Sequence, residues 1–386
     1  MRTLIKNGLV YNNKLRSFLP LDMLIDGERI VSISLYGELD GSDASVIDAY
    51  GQRLTAGFVD VHTHGIAGTD FLSADSASLA KMSRAYLSHG VTTVMPTLAS
   101  APFDVMVGAA RQISEFESEN NGAHFCGVHV EGRYLNPEKR GAHAKELLFA
   151  PDADELERFA SVGLENLHIS AALELDADKS FINKALELGA TLALGHTNAS
   201  FAQANELEAL GVTAYTHLYN AMPPLHHREG GAVAACLLGN AFAELICDGI
   251  HVSPEVVALT YGIKRDKLTL ISDSMEATDC PDGEYSIAGN AVNVRNGVAR
   301  TLDGALAGST LTLDRALENL MKFCDIPLEE AIISVTEAPA REIGIFDDRG
   351  SISIGKRADI LFVDRNSFKI NSVMLSGEIT VFDLIK

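Results

Sequence analysis

Two histidines separated by one residue follow a short apolar segment in the first quarter of the 386-residue chain. The segment Phe58–Val61 leads directly into His62 and His64. In a β-strand, residues i and i+2 point to the same face, so both imidazoles would project together at a separation suited to one metal ion. An isolated His-x-His pair is a weak signal, because two histidines on a solvated strand end give the same pattern. The pair becomes informative only with further ligands.

Three other apolar segments also end in side chains that ligate metals. Glu131 follows Val128–Val130, while His196 and His217 follow consecutive apolar runs about one strand–helix repeat apart. Two neutral imidazoles and a carboxylate make a three-ligand site that leaves a position for water, and a carboxylate can bridge two cations. The alternative for Glu131, which precedes a glycine, is a turn residue. Together the three residues predict a hydrolytic metal site.

Asp273 ends the last of these apolar segments, after Leu270–Ser272. An acid at this kind of junction can equally serve as a helix N-cap. Chance explanations of the separate segments are independent, so their joint probability is low. A single site at which all these side chains converge would explain why each apolar segment ends in a potential metal ligand or acid.

The elements that would bring these residues together are eight strand-like segments that alternate with helical patterns. This alternation is typical of βα units and a parallel sheet. Eight units favour a (β/α)8 barrel, whose carboxyl-terminal strand ends carry the chemistry, over an open doubly wound sheet. The predicted strands are Gly57–Val61, Val91–Met95, Gly127–Val130, Leu167–Ala171, Thr191–Leu194, Thr213–Thr216, Glu244–Cys247 and Lys267–Ile271.

Both ends of the chain are predicted to be β-structure of a different kind. Residues 1–54 and 346–386 contain short β-branched runs separated by turn residues, and neither end has enough apolar residues for its own core. We therefore expect one small β-sandwich domain built from both termini, flanking a barrel of residues 55–345. Short hairpin patterns at about 281–309 predict a β insertion after the eighth barrel strand.

Composition excludes several classes of partner. Hydrophobic residues make up 47 % of the chain and charged residues 22 %, which is typical of a folded globular protein. The net charge of −21 repels phosphate backbones and anionic lipids, so we expect neither nucleic acid nor membrane as a partner. Five scattered cysteines without a Cys-x-x-Cys pair, and an N-terminus without a signal-peptide pattern, predict a cytoplasmic protein.

The predicted ligand set resembles that of the amidohydrolase superfamily. HISAALELD lacks the lysine that dihydroorotase-like members carry at the fourth strand, so the glutamate at the third strand fits another branch. Several longer runs are similar to N-acetylglucosamine-6-phosphate deacetylases, and they extend over nearly the whole chain. In order, these runs are GFVDVHTHG, HVEGRYLNPEKRGAHA, LGHTNAS, THLYNAMPPLHHREGG, ICDGIHVSP, LISDSMEATDCPDGEY and DGALAGSTLT. The family fold is a barrel with a small β-sandwich from both termini.

The resemblance implies one or two divalent metal ions per subunit. Glu131, His196 and His217 would hold the principal metal, and His62 and His64 would hold or help to hold a second. Zn²⁺ suits such ligands; Fe²⁺, Co²⁺ or Mn²⁺ are also compatible, and the sequence leaves the choice open.

The resemblance also implies a reaction, which is hydrolysis of the acetamide of N-acetyl-D-glucosamine 6-phosphate to D-glucosamine 6-phosphate and acetate. Asp273 would act as general base and then as general acid, and His143 would stabilise the oxyanion. The remaining substrate-binding residues would be Ala142, Asn220, Ala221, His227, Arg228, His251, Leu306, Ala307 and Gly308. The His227–Arg228 loop would reach the phosphate in a neighbouring subunit, which implies a homodimer. One such clamp suffices for a single phosphate despite the acidic net charge.

Two departures from the family pattern leave the substrate open. Arg133 stands after Gly132 and Gly230 stands after Glu229, where the family usually has proline. Arg133 is expected to add a cation near the pocket. The alternatives are N-acetylgalactosamine 6-phosphate as the substrate, a deaminase or cyclic amidase on the same barrel, and a metal-binding or regulatory protein without turnover.

Overall fold

The computed structural model describes residues 2–117 and 121–381. The strands are β1 (Arg2–Asn12), β2 (Ser17–Asp26), β3 (Arg29–Leu35), β4 (Ser45–Asp48), β5 (Arg53–Ala56), β6 (Phe58–Thr63), β7 (Gly65–Ile66), β8 (Thr69–Asp70), β9 (Val91–Ala99), β10 (His124–Phe125), β11 (Val128–Glu131), β12 (Leu167–Ala171), β13 (Thr191–Leu194), β14 (Ala214–Tyr215), β15 (Phe242–Ile246), β16 (Leu268–Ile271), β17 (Gly283–Ile287), β18 (Asn290–Arg295), β19 (Val298–Thr301), β20 (Ile360–Val363), β21 (Ile370–Leu375) and β22 (Glu378–Val381). The α-helices are α1 (Ser76–Ser88), α2 (Phe103–Ser114), α3 (Ala153–Ala160), α4 (Ser180–Glu187), α5 (Phe201–Leu210), α6 (Gly231–Leu238), α7 (Pro254–Lys264), α8 (Leu313–Cys324), α9 (Leu328–Ala331) and α10 (Glu337–Glu342).

Eight parallel strands form the barrel, in the order β6, β9, β11, β12, β13, β14, β15 and β16. The barrel closes at its mouth through backbone hydrogen bonds between its last and first strands. Asp273 N–H donates to the His62 carbonyl at 2.9 Å, and His64 N–H donates to the Ser274 carbonyl at 2.8 Å. The predicted α/β barrel is confirmed, and its strand ends meet in one place.

Two barrel strands differ clearly from their predicted limits. β9 continues to Ala99 because Thr97–Ala99 pair with His129–Glu131 of the neighbouring strand. β14 is only two residues long because the chain leaves the extended conformation at His217, whose φ is 31°. These limits place Glu131 beside Ala99 and His217 two residues after the end of β14.

Strands from both termini form one sheet, as expected for a β domain shared between the two ends. Its order is β22, β21, β20, β5, β1, β2 and β3, with β4 beside β1. This sheet has a separate apolar core that includes Ile5, Met23, Ile30, Ile360 and Phe362. The domain limits 1–54 and 346–386 stay predictions, and residues 1 and 382–386 lie outside the described part of the chain.

A three-stranded antiparallel sheet, β17 to β19, lies within the predicted insertion at 281–309. The chain then returns to the barrel mouth, where Ser309 N–H donates to the Asp273 carbonyl at 2.7 Å. The insertion is therefore attached directly to one of the predicted site residues. Within the described ranges, none of the helices combines the length and hydropathy that a membrane span requires.

Candidate active site

Glu131 lies at the centre of the histidine cluster above the barrel. It is the last residue of β11, and its carboxylate is almost completely buried. Its Oε2 lies 3.3 Å from His62 Nε2 and 3.0 Å from His64 Nε2. His62 lies in β6 and His64 follows its last residue, and the i, i+2 alternation of the chain places both imidazoles on the same side, as the sequence predicts. One carboxylate oxygen thus faces the whole His-x-His pair.

The other oxygen of Glu131 faces the second pair of histidines. Oε1 lies 3.2 Å from His196 Nε2 and 3.0 Å from His217 Nε2, and the two Nε2 atoms are 3.0 Å apart. His196 Nδ1 is 2.8 Å from the Lys139 carbonyl, to which it must donate. A neutral His196 therefore carries a lone pair on Nε2, directed at the same point as His217.

Three of these strand-end residues adopt left-handed backbone conformations. The φ angles are 46° at His196, 31° at His217 and 45° at Asp273. This region costs a non-glycine residue of the order of 1–2 kcal/mol, and such residues cluster at functional sites. The turn at each strand end carries the side chain into the barrel mouth rather than along the strand.

The donor set fits one or two divalent metal ions. His62, His64 and Asp273 form one group of potential ligand atoms within 4.8 Å of one another, and Glu131, His143 and His196 form another. His62 Nε2 is buried without a hydrogen-bond partner. Imidazole nitrogens and carboxylate oxygens are the ligands that zinc and its first-row neighbours accept. A cation would satisfy nitrogen atoms that protein groups leave unmatched.

The protonation equilibria indicate the same requirement for positive charge. Burial disfavours the imidazolium of His62, yet Glu131 and Asp273 outweigh it and raise the pKa of His62 well above its ordinary value. Burial also opposes charge on His64, but hydrogen bonds to Asp273 and Glu131 raise its pKa to about 9. Burial raises the pKa of Asp273, but the nearby histidine charges outweigh it and lower this pKa. The two buried carboxylates therefore favour cations beside them.

His143 has the opposite electrostatic environment. Burial and the neighbouring His196 lower the pKa of His143 to about 3, so its imidazole is neutral at physiological pH. Ser100 N–H donates to His143 Nδ1 at 3.3 Å. Nδ1 is therefore the acceptor and Nε2 carries the proton, 3.9 Å from Glu131 Oε2. His143 presents a neutral N–H donor beside the metal ligands.

These groups line one cleft of about 630 Å³ at the barrel mouth. The cleft brings together most of the predicted site residues: His64, Glu131, Ala142, His143, His196, His217, Asn220, Ala221, His251, Asp273, Leu306, Ala307 and Gly308. His62 lies beneath it, fully buried. His251 Nδ1 donates to Asp248 Oδ2 at 2.7 Å, which leaves its Nε2 available to a ligand.

The predicted phosphate residues do not line the cleft of their own chain. His227 and Arg228 are exposed on the loop before α6, and Arg228 Nη1 lies 2.8 Å from His227 Nε2. The structure therefore separates these two residues from the other predicted substrate contacts.

A sequence model of the Amidohydrolase family matches residues 53–380. The chain belongs to this amidohydrolase family. An N-acetylglucosamine-6-phosphate deacetylase of Vibrio furnissii is 33 % identical over 366 residues, which cover 94 % of this chain and 91 % of the relative. An N-acetylgalactosamine-6-phosphate deacetylase of Escherichia coli O157:H7 is 31 % identical over 362 residues, covering 93 % and 96 %.

The solved structure of another deacetylase is also similar to this amidohydrolase, over nearly the whole chain. It is a mutant N-acetyl-D-glucosamine-6-phosphate deacetylase of Mycobacterium smegmatis in complex with N-acetyl-D-glucosamine 6-phosphate. The TM-score is 0.88 at 27 % identity, with 99 % of this chain and 100 % of the other covered. The similarity includes both the barrel and the terminal sheet.

One expectation for the amidohydrolase cleft is wrong. Arg133 does not line it, because its Nη2 pairs with Glu155 Oε1 at 2.9 Å and its guanidinium lies 4.3 Å from the centre of the Phe149 ring. The backbone of Arg133 instead supports the site. Its N–H, at a φ of 67°, donates to Ser100 Oγ at 3.0 Å, and Ser100 in turn contacts His143.

Sequence reasoning missed several residues of this amidohydrolase site. Ser100, which fixes the tautomer of His143, follows β9 and carries no motif. Ala99, Gly141, Ile246, Ile287 and Ala288 also line the cleft. The hairpin pattern of the insertion predicts its turns but not their orientation, so it could not show that the β17–β18 turn lines the cleft.

Proposed function

We propose that this amidohydrolase hydrolyses the acetamide of N-acetyl-D-glucosamine 6-phosphate to D-glucosamine 6-phosphate and acetate. The observation that carries the proposal is the convergence of four imidazole Nε2 atoms on the two oxygens of Glu131, in a cleft that Asp273 and His143 also line. Relatives of this activity match more than nine-tenths of the chain.

Five residues would hold the metal. Glu131, His196 and His217 would bind the principal ion, and His62 and His64 a second. A divalent ion in such a site lowers the pKa of bound water to about 7 and polarises a carbonyl oxygen. Zinc suits this donor set, and Fe²⁺, Co²⁺ and Mn²⁺ are the alternatives that metal analysis of the purified protein would separate.

Asp273 and His143 would supply the proton and hydrogen-bond chemistry. The Asp273 carboxylate would accept one proton of the attacking water and then deliver it to the departing amine nitrogen, which regenerates the carboxylate. His143 donates its Nε2–H to the acetamide oxygen as negative charge develops there. A neutral imidazole fits this role, because its lowered pKa keeps the ring uncharged and the Ser100 N–H bond to Nδ1 keeps the proton on Nε2.

The sugar and its phosphate would be bound by two subunits of a homodimer. Ala142, Asn220, Ala221, His251 and Leu306–Gly308 line the cleft from within the chain. His227 and Arg228 would complete the phosphate site in the partner, since both are exposed and lie outside their own cleft. A forked guanidinium is well suited to phosphate.

Mixed dimers test this arrangement. We expect chains that carry Arg228→Ala and chains that carry Asp273→Asn to be weakly active alone. When they are mixed and allowed to exchange subunits, some dimers contain one chain of each kind. In these dimers, Arg228 of the Asp273→Asn chain would reach the cleft of its partner, whose Asp273 is intact. Recovery of activity supports a loop shared between subunits. No recovery in verified mixed dimers contradicts it.

The galacto epimer is the second candidate substrate. The Escherichia coli relative that acts on N-acetylgalactosamine 6-phosphate is nearly as similar as the relatives that act on the gluco epimer. The epimers differ at one hydroxyl, so a single hydrogen-bond partner can decide between them. The test is kcat/KM for acetate release from both phosphosugars, and a clear preference for the galacto epimer would replace the first choice.

A cytoplasmic location also belongs to this proposal. All five cysteines are free, and three of them are buried. Free buried thiols are compatible with a reducing compartment. Fractionation of the native cells would test the location.

A further inference from the structure

Glu244 is a buried carboxylate that the proposed reaction does not use. It lies in the middle of β15, between Phe242 and Ile246, and none of its side chain is exposed. It projects into the barrel interior directly beneath the histidine cluster. An ionised group in such a place is costly unless its neighbours compensate its charge.

The closest neighbour of Glu244 is a proposed metal ligand. Its Oε2 lies 3.1 Å from His62 Nδ1. The Oε1 atom of Glu244 lies 3.4 Å from Nε2 of His168, which is on β12 across the barrel interior. A carboxylate accepts, so the ring nitrogens donate. When His62 is neutral, as a metal ligand must be, this arrangement places its proton on Nδ1 and leaves the Nε2 lone pair for a cation beside Glu131 and Asp273.

We propose that Glu244 is a positioning residue of the metal centre, which fixes the tautomer and orientation of His62 and thereby strengthens binding at the His62–His64 site. The inference rests on the proposed function, because that function assigns His62 to a metal. Carboxylates that hold the far nitrogen of a ligating histidine typically contribute 10- to 100-fold in metal affinity.

One aromatic neighbour of His62 does not compete for its Nδ1. His129 packs against His62 with ring centres 4.6 Å apart. However, its own Nδ1 donates to the Val61 carbonyl at 3.1 Å, and its Nε2 contacts Ser170 Oγ at 2.7 Å. His129 is therefore satisfied within the barrel core. Among the described residues, Glu244 is the hydrogen-bond partner of His62 Nδ1.

A second buried acid lies behind Glu244 without adding to its charge. Glu342, the last residue of α10, has a ligand atom within 4.8 Å of those of Glu244 and His168. Burial and the nearby charge of Glu244 raise the pKa of Glu342 well above its ordinary value. Glu342 is thus held in its neutral form, which leaves Glu244 as the anion that faces His62.

The test measures the affinity for the second equivalent of Zn²⁺ by competition with a chromophoric chelator. Glu244→Gln keeps the shape and removes the charge, and we expect its second equivalent to bind 10- to 100-fold more weakly. Glu342→Gln is the matched control, since it replaces an acid that is already neutral, and we expect its affinity to be within threefold of the wild type. Melting of the metal-free proteins checks that each variant is folded. If Glu244→Gln does not fold, Glu244→Asp, which keeps the charge but shortens the side chain, is used instead.

A double-mutant cycle separates positioning from a general role in the core. In a His62→Ala background, Glu244→Gln should cause no further loss, because Glu244 acts through the imidazole that is already absent. Unchanged zinc affinity in Glu244→Gln, or the same loss with and without His62, would overturn the inference. A wild-type protein that binds no zinc would overturn the proposed function as well, so the two failures are distinguishable.

Discussion

The backbone N–H of Asp273 donates a 2.9 Å hydrogen bond to the carbonyl of His62. This bond joins the eighth barrel strand to the first at the mouth, where β6 and β16 otherwise form no regular ladder. The side chains of the same two residues meet on the inner side, with His62 Nε2 3.5 Å from Asp273 Oδ1. The proposed general base and the His-x-His pair are therefore fixed relative to each other by backbone, not by side-chain packing alone.

Asp273→Asn should abolish most of the hydrolysis and leave the principal metal in place. The amide cannot accept the proton of the attacking water, and loss of a general acid–base typically costs 10²- to 10⁴-fold in rate. Glu131, His196 and His217 are unaffected, so at least one equivalent of metal should remain. Acetate release and metal content measured on the same sample check both parts. Activity near the wild-type level would rule out the proton-transfer role.

His143→Gln should lower kcat by about 10²- to 10³-fold with a much smaller change in KM. The Nε2–H of His143 would bind the acetamide oxygen most strongly as it becomes an oxyanion, and loss of such a donor has that magnitude. Steady-state kinetics with N-acetylglucosamine 6-phosphate provide the measurement. An increase in KM at unchanged kcat would instead assign His143 to ground-state binding.

Gly132→Ala should displace Glu131 and weaken metal binding. A Cβ at position 132 would lie 2.4 Å from the backbone nitrogen of Ser100, which is too close for any Cβ contact, so the backbone must shift. Overpacking of this kind costs about 1–3 kcal/mol. Urea unfolding and chelator competition measure both effects.

Gly108→Ala is the control for that substitution. Gly108 lies in α2, and nothing lies within 4 Å of a Cβ placed there. Alanine in a helix interior is favoured over glycine by about 0.8–1 kcal/mol, so this variant should be more stable and retain its metal. If both alanine variants had the same stability and the same metal affinity, the close approach at Gly132 would be contradicted.

His89→Gln should destabilise the fold in a pH-dependent way. His89 Nε2 contacts Asp279 Oδ2 at 2.8 Å, and its Nδ1 contacts Asp314 at 3.3 Å. Burial opposes the charge, but these two carboxylates outweigh it and raise the pKa of His89 to about 10. We expect the free energy of unfolding to fall by about 1–3 kcal/mol near neutral pH. This value lies between those typical of exposed and buried ion pairs.

The sign of that pH dependence follows from the raised pKa. The folded protein binds the His89 proton more tightly than the unfolded chain, whose histidine has a pKa of about 6.5. The stabilisation is therefore complete below about pH 6.5 and is lost as the pH rises toward 10. Urea unfolding at several pH values should show that the difference in free energy of unfolding between wild type and His89→Gln decreases from about pH 6.5 to pH 10. His124→Gln, at a more exposed pair with Glu165, serves as the control, and a constant difference for His89 would contradict the account.

Local sequence patterns were sufficient to predict the barrel and the convergence of its ligands. In a parallel barrel, a polar side chain that follows an apolar strand lies at the carboxyl-terminal face, because all strands end at that face. His62, His64, Glu131, His196, His217 and Asp273 therefore come together as expected. Arg133 was misplaced because sequence gives no side-chain direction for a residue with a positive φ.

Glu244 shows why the remainder of the site was not predictable. Every residue of β15 is buried, so the strand has no alternation of exposed and buried positions that would mark one side chain as inward-facing. The contact to His62 also joins residues that are 182 positions apart. Only the closed barrel brings them together, just as only the loop at Ser100 fixes the tautomer of His143.

The most direct test of the account is acetate release from N-acetylglucosamine 6-phosphate by protein stripped of metal and then reloaded with measured equivalents of Zn²⁺. We expect the stripped protein to be inactive and the reloaded protein to release one acetate and one glucosamine 6-phosphate per turnover. We expect activity to rise with the first equivalent that binds at Glu131, His196 and His217. Reloaded protein that binds the metal but releases no acetate from this phosphosugar would contradict the central claim.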